Sequence, residues 1–393
     1  MPNAAVAVRG GRIVAAGTRS AVGRRRGERT VNLGDMLLMP GLINAHTHLE
    51  EGVLRGYSRG DGETFSSWMA KKDSRLRNAS AEALLPTVRL GIREALAHGT
   101  TTIVDSSRTG TSLPVLKDEP IRAWVIQELH DEGDVADGTF LHTLDLRRRL
   151  VEGSEQMRVG VGPHALFSLG PKAHKDVARM ALNRGIPWAC HVAESAEELQ
   201  AFSEQRGDLF FHITRKRPWP FGEARMGSLH YAISRTIIPR GAILFHCNYA
   251  GGAELSLLAA KRASIVISPR YDAGSGNKSH PVDLARKRGL NLCVGTESIA
   301  EVESMSLFDD LFALKSRYPH IPAAELLTWA TANAARALGV GGSLGELVPD
   351  AFADMIGVSF AHGPKEDLLE ELLVEEPSVR FVMTGGEEVI VDY

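Results

Sequence analysis

Two histidines stand two residues apart in the segment NAHTHLE, residues 44–50. Side chains at positions i and i+2 of a β-strand point to the same face, so the imidazoles of His46 and His48 can reach one cation. Neutral imidazole is a common ligand of divalent metals. A lone His-x-His pair is a weak signal, but this pair directly follows the apolar run MPGLIN. The segment therefore predicts a metal site at the end of a buried strand.

Further histidines and one carboxylate come at the ends of later apolar runs. His164, His191 and His246 each end such a run, and Glu297 lies in the segment CVGTES, residues 293–298. Buried polar groups are costly without a partner, so five histidines and a carboxylate at successive strand ends favour a shared site over packing. Two alternatives stay open: Glu297 is an ordinary surface glutamate, or several strand ends are misplaced.

Glu194 follows His191 by three residues in the segment HVAES. With this spacing the histidine can face the centre of the site while the glutamate reaches over it from the next turn. A carboxylate there can take a proton from a metal-activated water and pass it to a leaving amine. The simpler interpretation is a first-turn glutamate favoured by the helix dipole. The neighbouring candidate ligands favour the catalytic interpretation.

The number of metal ions is predicted from the end of the fourth strand, which reads PHALFS. No lysine stands there, so a carbamylated lysine that bridges two metals is not expected. The P-C-x-x-C signature of zinc-dependent nucleobase deaminases is also absent from the sequence. A mononuclear centre is therefore predicted.

The candidate ligands require a fold that brings strand ends together. Eight short apolar runs alternate with stretches of helical pattern, which predicts a parallel sheet covered by helices. Eight such units favour a closed (β/α)8 TIM barrel, whose active site lies at the carboxyl ends of the strands. The runs cover residues 37–48, 99–107, 121–129, 157–168, 186–195, 241–250, 263–271 and 290–298.

The two chain ends have a different pattern. AVAVRGGRIVAAG, residues 5–17, predicts a hairpin that turns at its two glycines, and further strands are predicted near the carboxyl end. Neither end has enough apolar residues for a core of its own. We therefore predict one small β-sandwich lobe from residues 1–38 and 346–393, with a short N-terminal part, and a barrel from residues 39–345.

The composition argues against several classes of protein. The net charge of -3 does not suit a protein whose main partner is nucleic acid or a membrane surface. Three cysteines without a C-x-x-C pair argue against a disulfide framework, and no apolar run approaches the ~20 residues that span a bilayer. The composition predicts a cytoplasmic protein that acts on a small molecule.

The motifs PGLINAHTHLE, HVAES, FHCNY and GTES occur in this order along the chain. Their order and spacing resemble the amidohydrolase superfamily, specifically its mononuclear deaminase and chlorohydrolase branch. Within the branch, HTHLE with Phe65 and Trp68 shortly after, HCNY and SPR are most similar to the aminodeoxyfutalosine deaminases. Those enzymes serve the futalosine route to menaquinone and replace an exocyclic amine of a purine with oxygen.

The resemblance implies one divalent metal ion, with zinc preferred and iron as the alternative. Its ligands would be His46, His48, His191 and Glu297. The family has an aspartate where Glu297 stands. Glutamate is itself a normal zinc ligand, so the longer side chain is compatible with binding.

The resemblance also implies roles for the other residues. The predicted catalytic residues are Glu194, which would carry a proton to the departing ammonia, His246, which would orient the attacking water, and Glu297. His164 would contact the substrate, and Arg270 is a candidate cation for an anionic group of the substrate. A homodimer is a further expectation.

Three hypotheses about function follow. The first is a metal-dependent aminohydrolase that acts on an aminated purine nucleoside, with aminodeoxyfutalosine as one candidate. The second is a hydrolase of the same fold with another leaving group, such as chloride or an amide nitrogen. The third is a catalytically impaired binding protein, because Glu297 replaces the usual aspartate. The presence of the other motif residues favours the first.

Overall fold

The computed structural model describes residues 1–23, 27–57, 59–60, 62–131, 139–360, 367–374 and 377–390. The strands in these ranges, in chain order, are β1 Ala4–Arg9, β2 Arg12–Thr18, β3 Leu37–Pro40, β4 Leu42–Thr47, β5 Thr100–Ser107, β6 Arg122–Leu129, β7 Met157–Pro163, β8 Ala189–Val192, β9 Ile243–His246, β10 Ser264–Ile267, β11 Asn291–Val294, β12 Met355–Ser359, β13 Ser378–Thr384 and β14 Glu387–Glu388.

The central strands, β4 to β11, form a closed parallel barrel. β4 to β7 pair in sequence order in one sheet, and β8 to β11 pair in the same way in a second. Parallel bridges from Val161 to Trp188 and from Thr47 to Glu297 join the two sheets at both seams. Apolar side chains such as Ile43 fill the barrel interior. The predicted (β/α)8 barrel is confirmed.

Helices follow the barrel strands and cover the outside of the barrel, where a second apolar layer contains Cys190 and Cys247. None of the helices in the described ranges is long and apolar enough to cross a membrane. The helices are Arg19–Val22, Phe65–Asn78, Ala81–Ala97, Ser112–Asp118, Thr139–Leu150, Pro171–Arg184, Ala196–Glu204, Asp208–Thr214, Ser228–Ser234, Gly252–Ala260, Pro269–Gly274, Val282–Lys287, Leu307–Arg317, Ala323–Trp329, Ala332–Ala337 and Leu368–Leu372, with a 3₁₀ helix at Leu49–Leu54.

The first predicted barrel strand, residues 37–48, is two strands rather than one. β3 pairs antiparallel with β12 in the lobe, whereas β4 pairs parallel with β5 in the barrel. Gly41 separates them, and a Cβ atom at this position would collide with the side chain of Thr101. Pro40 therefore still belongs to the lobe sheet, two residues beyond the predicted limit at residue 38.

The lobe is built from both chain ends. β1 and β2 form an antiparallel hairpin, and the second sheet has the antiparallel order β14-β13-β12-β3. Ile13 of the hairpin packs with Met355 and Phe381 of the sheet in a small core of its own. The predicted lobe of β-structure from both ends is confirmed.

Arg122, the first residue of β6, joins the barrel to the lobe. Its Nε and Nη2 donate to the two carboxylate oxygens of Asp354 at 2.8 and 3.1 Å. Both side chains are buried, and the guanidinium lies over the ring of Phe352 at 3.8 Å. Losing one partner of a buried ion pair leaves the other charge unpaired in a medium of low polarity.

We expect Asp354→Ala to lower the free energy of unfolding by about 3–5 kcal/mol, because Arg122 would remain buried without its counter-ion. Urea unfolding measures the change. Glu155→Ala is the control: Glu155 pairs with Arg12 at 2.8 Å, but its side chain is 69% exposed, so its loss should change stability little. Equal destabilisation by the two variants would contradict this role of the buried pair.

Candidate active site

The carboxyl ends of three barrel strands bring together four side chains that can bind a metal ion, which form the ligand cluster. His46 lies in β4 with His48 just after it, His191 lies in β8, and Glu297 follows β11. Nε2 of His46 is 2.5 Å from Oε2 of Glu297 and 3.0 Å from Nε2 of His191. Nε2 of His48 is 3.3 Å from Oε1 of Glu297 and 3.4 Å from Nε2 of His191. One donor atom of each residue thus lies within 4.8 Å of the others.

Gly295 allows the end of β11 to pass close to the first ligand. A Cβ atom at this position would lie 2.7 Å from Cβ of His46 and 2.8 Å from its backbone nitrogen. Glu297, two residues later, has a left-handed φ of 64°, and its backbone nitrogen donates to the carbonyl of His46 at 3.2 Å. This backbone contact turns the glutamate toward the histidines.

In two of these histidines the second ring nitrogen, Nδ1, faces a backbone carbonyl oxygen. Nδ1 of His48 donates to the carbonyl of Ser106 at 3.1 Å, and Nδ1 of His191 donates to the carbonyl of His164 at 2.6 Å. A nitrogen that donates carries the proton, so Nε2 of each ring keeps a free lone pair directed at the cluster. These contacts fix the tautomer that a metal requires.

The charges of the cluster fit a divalent cation. Burial opposes ionisation of Glu297, but the two nearby imidazoles hold the pKa of its carboxyl well below the usual range. Burial lowers the pKa of His46 to about 4 and, with neighbouring imidazoles, lowers the pKa of His191 well below its ordinary value. Oε2 of Glu297 is buried and accepts no hydrogen bond within the described residues. An ionised carboxylate among neutral imidazoles is a normal donor set for zinc and similar metals.

His48 differs from the other two histidines. Burial opposes its charge, but the carboxylates of Glu297, Glu51 and Glu128 outweigh burial and raise the pKa of His48 well above its ordinary value. Since Nδ1 already donates to Ser106, the added proton would occupy Nε2. A proton and a metal ion therefore compete for the same lone pair.

Glu194 lies beside the four ligands without being one of them. Its Oε1 accepts a hydrogen bond from the hydroxyl of Tyr271 at 2.5 Å, and its Oε2 is 4.0 Å from Nε2 of His246. Nε2 of His246 is also 3.8 Å from Oε2 of Glu297. The side chain of Glu194 is 7% exposed, so the carboxylate is largely shielded from solvent at the edge of the cluster. Such a group can take up and return a proton.

The turn that carries Glu194 is fixed by hydrogen bonds at the start of the next helix. Ser195 caps the helix Ala196–Glu204, and its Oγ accepts from the backbone nitrogen of Glu198 at 3.2 Å. The carboxylate of Glu198 accepts from the backbone nitrogens of Ala193 and Glu194 at 2.9 and 3.0 Å. Ala193 has a φ of 52°, so this carboxylate stabilises a left-handed turn. The sequence SAEE is the local signal for this arrangement.

His246 is fully buried between carboxylates. Burial opposes its charge, but Glu194, Asp272 and Glu297 together raise the pKa of His246 to about 9. Its Nδ1 is 3.7 Å from Oδ1 of Asp272, and that oxygen accepts from Asn248 Nδ2 at 2.7 Å. The imidazole can therefore present a positive charge to a group that becomes negative during a reaction.

His164 follows β7 and contacts the ligand cluster from one side. Its ring centroid is 4.6 Å from that of His191. Its Nδ1 is 3.2 Å from Oε1 of Glu128, and Oε2 of Glu128 is 3.1 Å from Nε2 of His130. Burial opposes the charge of Glu128, but the neighbouring histidines hold the pKa of its carboxyl well below the usual range. Glu128 thereby orients His164.

The structure does not bring Arg270 into this cluster. Its Nε and Nη2 donate to Oδ2 of Asp310 at 3.0 and 2.8 Å, and its Nη1 lies 3.3 Å from Oδ2 of Asp309. Further bonds go to Ser304 and Ser306. The guanidinium is surrounded by acceptors of the protein, and a contact between Arg270 and substrate stays a prediction. The next residue, Tyr271, faces the site instead.

Three residues of the site were not identified from the sequence: Glu128, Tyr271 and Asp272. Glu128 stands at the end of the third predicted barrel strand, so the reasoning that identified the histidines could also have identified it. Tyr271 and Asp272 lie on the short helix Pro269–Gly274, where the sequence does not reveal which side faces the barrel.

The model of the amidohydrolase family matches residues 37–389 of this chain. That range contains the whole barrel, the site residues and most of the lobe. The chain belongs to the amidohydrolase family. The predicted membership is thereby confirmed, and with it the prediction of a metal-dependent hydrolase that acts on carbon–nitrogen bonds.

This amidohydrolase is similar to named deaminases. A 5-methylthioadenosine/S-adenosylhomocysteine deaminase of Syntrophobacter fumaroxidans is 27% identical over 374 residues, which cover 91% of this chain and 80% of the relative. The zinc-bound adenosine deaminase of Xanthomonas campestris has a TM-score of 0.87 at 23% identity, covering 99% of this chain and 88% of the other. The aminofutalosine deaminase of Helicobacter pylori, in complex with methylthio-coformycin, has a TM-score of 0.83 at 21% identity, covering 99% and 96%. The relatives thus lie in the predicted deaminase branch.

Proposed function

We propose that this amidohydrolase removes the 6-amino group of a purine nucleoside whose 5′ position carries a substituent, with zinc as its metal ion. The relative from Syntrophobacter fumaroxidans is named for two such nucleosides, and the structure from Helicobacter pylori is named for aminofutalosine. Aminodeoxyfutalosine, and with it a place in menaquinone biosynthesis, is the candidate within this class that the sequence motifs favour. In this proposal the protein is a homodimer that acts on this small molecule in the cytoplasm.

One observation carries the proposal: a buried carboxylate that is not a ligand lies beside a complete set of ligands. Oε2 of Glu194 is 4.0 Å from Nε2 of His246. The ligand atoms of the four residues converge beside this pair: His46, His48, His191 and Glu297. A metal held by these four residues supplies Lewis acidity, which lowers the pKa of water to about 7. Hydrolysis of an amine needs a second group that moves protons, and Glu194 has that position.

In the reaction, the oxygen of water bonds to C6 of the purine and the C6–N6 bond breaks. Nucleoside and water give the 6-oxo nucleoside and ammonia, so the atoms balance without an oxidant or reductant. Glu194 takes a proton from the water and returns one to the departing nitrogen. The cationic imidazole of His246 stabilises the negative charge that develops on the adduct. His164, oriented by Glu128, contacts the purine nucleoside at the side of the cluster.

Purified protein should contain about one metal ion per chain and release ammonia from 6-aminopurine nucleosides. The screen comprises adenosine, 5′-methylthioadenosine, S-adenosylhomocysteine and aminodeoxyfutalosine, with ammonia and the 6-oxo product measured together. We expect the 5′-substituted nucleosides to have higher kcat/KM than adenosine.

6-Chloropurine riboside serves as the comparison, because it differs from adenosine only in its leaving group. Faster release of chloride than of ammonia would favour a hydrolase with another leaving group. Bound metal without turnover of any compound would favour the impaired binding protein. Protein that binds no metal would overturn both enzymatic hypotheses.

A further inference from the structure

The backbone has left-handed φ angles at two consecutive residues at the end of β9. His246 has a φ of 68° and Cys247 a φ of 54°. Residues with a Cβ atom adopt this conformation only at a cost, and such residues cluster where surrounding contacts enforce them. Both residues are fully buried, so the surrounding protein, rather than solvent, must stabilise this turn.

His280 supplies a contact that holds both peptide groups of this turn. Its Nδ1 is 3.0 Å from the carbonyl oxygen of His246 and 3.3 Å from that of Cys247. Carbonyl oxygens only accept, so Nδ1 carries the proton and donates to both. Nε2 of His280 is buried without a partner in the described part of the chain, and burial lowers the pKa of the imidazole to about 4. His280 is therefore a neutral donor with a single N–H.

Hydrogen bonds to its backbone carbonyl hold His280 in place. Its carbonyl oxygen accepts from the hydroxyl of Tyr318 at 3.1 Å and from the backbone nitrogen of Val282 at 2.8 Å. Tyr318 directly follows the helix Leu307–Arg317. The imidazole is thus positioned from the outer layer of the barrel and reaches inward to the turn.

The ring of His246 has no hydrogen bond that fixes its direction. Neither Nδ1 nor Nε2 has a partner within the described residues. The nearest carboxylates, from Asp272, Glu297 and Glu194, lie at 3.7, 3.8 and 4.0 Å. Since no hydrogen bond fixes the ring, its direction depends on where the backbone places Cβ and on the packing of the rings of His191 and Tyr271, whose centroids each lie 5.3 Å away.

We propose that His280 is a positioning residue, which holds the left-handed turn at His246 and Cys247 and thereby directs the imidazole of His246 toward Glu194 and Glu297. This inference rests on the proposed catalytic role of His246. It assigns a function to a residue that touches neither the ligand cluster nor Glu194 among the contacts of the described residues.

The test compares His280→Leu with His280→Asn. Leucine has a similar size but donates no hydrogen bond, whereas the amide of asparagine carries a donor near the place of Nδ1. Misplacing a catalytic group by about 1 Å can cost about 100-fold in rate. We expect kcat for 6-aminopurine nucleosides to fall about 100-fold in His280→Leu, with KM and metal content unchanged. His280→Asn should stay within about tenfold of the parent.

Crystal structures of both variants give a readout that does not need activity. In His280→Leu, residues 246 and 247 should leave the left-handed region or the His246 ring should move by about 1 Å, and His280→Asn should preserve both. A His280→Leu structure in which neither the turn nor the His246 ring has moved overturns the inference, and so do equal losses of kcat in the two variants. If the parent releases no ammonia from any nucleoside, the proposed function fails, while these structures still decide whether His280 holds the turn.

Discussion

Glu194→Gln should lower kcat for ammonia release by at least about 100-fold and up to about 10,000-fold, while the protein keeps its metal. Glutamine has the same shape, and its carbonyl oxygen can still accept from Tyr271, whose hydroxyl now lies 2.5 Å from the carboxylate. An amide cannot take up and return a proton at neutral pH, so the loss should appear in kcat. Steady-state kinetics and metal analysis of the same preparation measure both quantities.

Two further variants test whether the loss of kcat is caused by the loss of proton transfer. Glu204→Gln makes the same chemical change at the exposed end of the helix that follows Glu194, and it should leave kcat unchanged. Tyr271→Phe removes one hydrogen bond but keeps the carboxylate, so its loss should be much smaller than that of Glu194→Gln. If Glu194→Gln retains activity within tenfold of the parent, Glu194 is not the residue that moves the proton.

The fold and the converging side chains could be predicted because parallel strands impose their own geometry. In a closed barrel all carboxyl ends meet at one rim, so His46, His191 and His246 had to approach one another once each was assigned to a strand end. The two-residue spacing of His46 and His48 required only the alternation of a strand. These inferences depend on strand order and periodicity, both of which can be derived from the sequence.

Contacts made by short helices and loops could not be predicted in the same way. Arg270 and Tyr271 are neighbours on the helix Pro269–Gly274, yet the tyrosine contacts Glu194 and the arginine contacts Asp310. Successive residues of a helix point about 100° apart, and a six-residue helix has too few apolar positions to reveal which side is buried. Only the packed structure determines that rotation.

The limit of the lobe was misplaced for a related reason. Residues 37–43 form a continuous apolar run, and apolarity alone does not distinguish one strand from two strands of different sheets. Gly41 divides the run because the backbone there passes directly against Thr101. That contact joins residues 60 positions apart in sequence, so no local pattern indicates it.

The second large effect concerns Glu297, the only anionic member of the four ligands. We expect Glu297→Ala to lose its metal on gel filtration, because three neutral imidazoles would remain. We expect Glu297→Asp to keep the metal but to lower kcat/KM about 100-fold, since the oxygen now 2.5 Å from His46 would retreat by one methylene. Metal analysis and kinetics measure the two effects separately.

In Glu297→Asp, the stability of the fold should not fall together with kcat/KM. Glu297 has a φ of 64°, a region that aspartate tolerates better than glutamate does, so Glu297→Asp should not lower the unfolding midpoint. Glu301→Asp is the control for shortening a nearby, partly buried carboxylate. Glu301 accepts from Trp68 at 2.6 Å and is not among the ligands, so the metal content of this variant should equal that of the parent. Full metal content in Glu297→Ala would contradict the ligand assignment. Higher kcat/KM in Glu297→Asp than in the parent would instead identify the glutamate as an impaired substitute for aspartate, the outcome that favours a binding protein over a working deaminase.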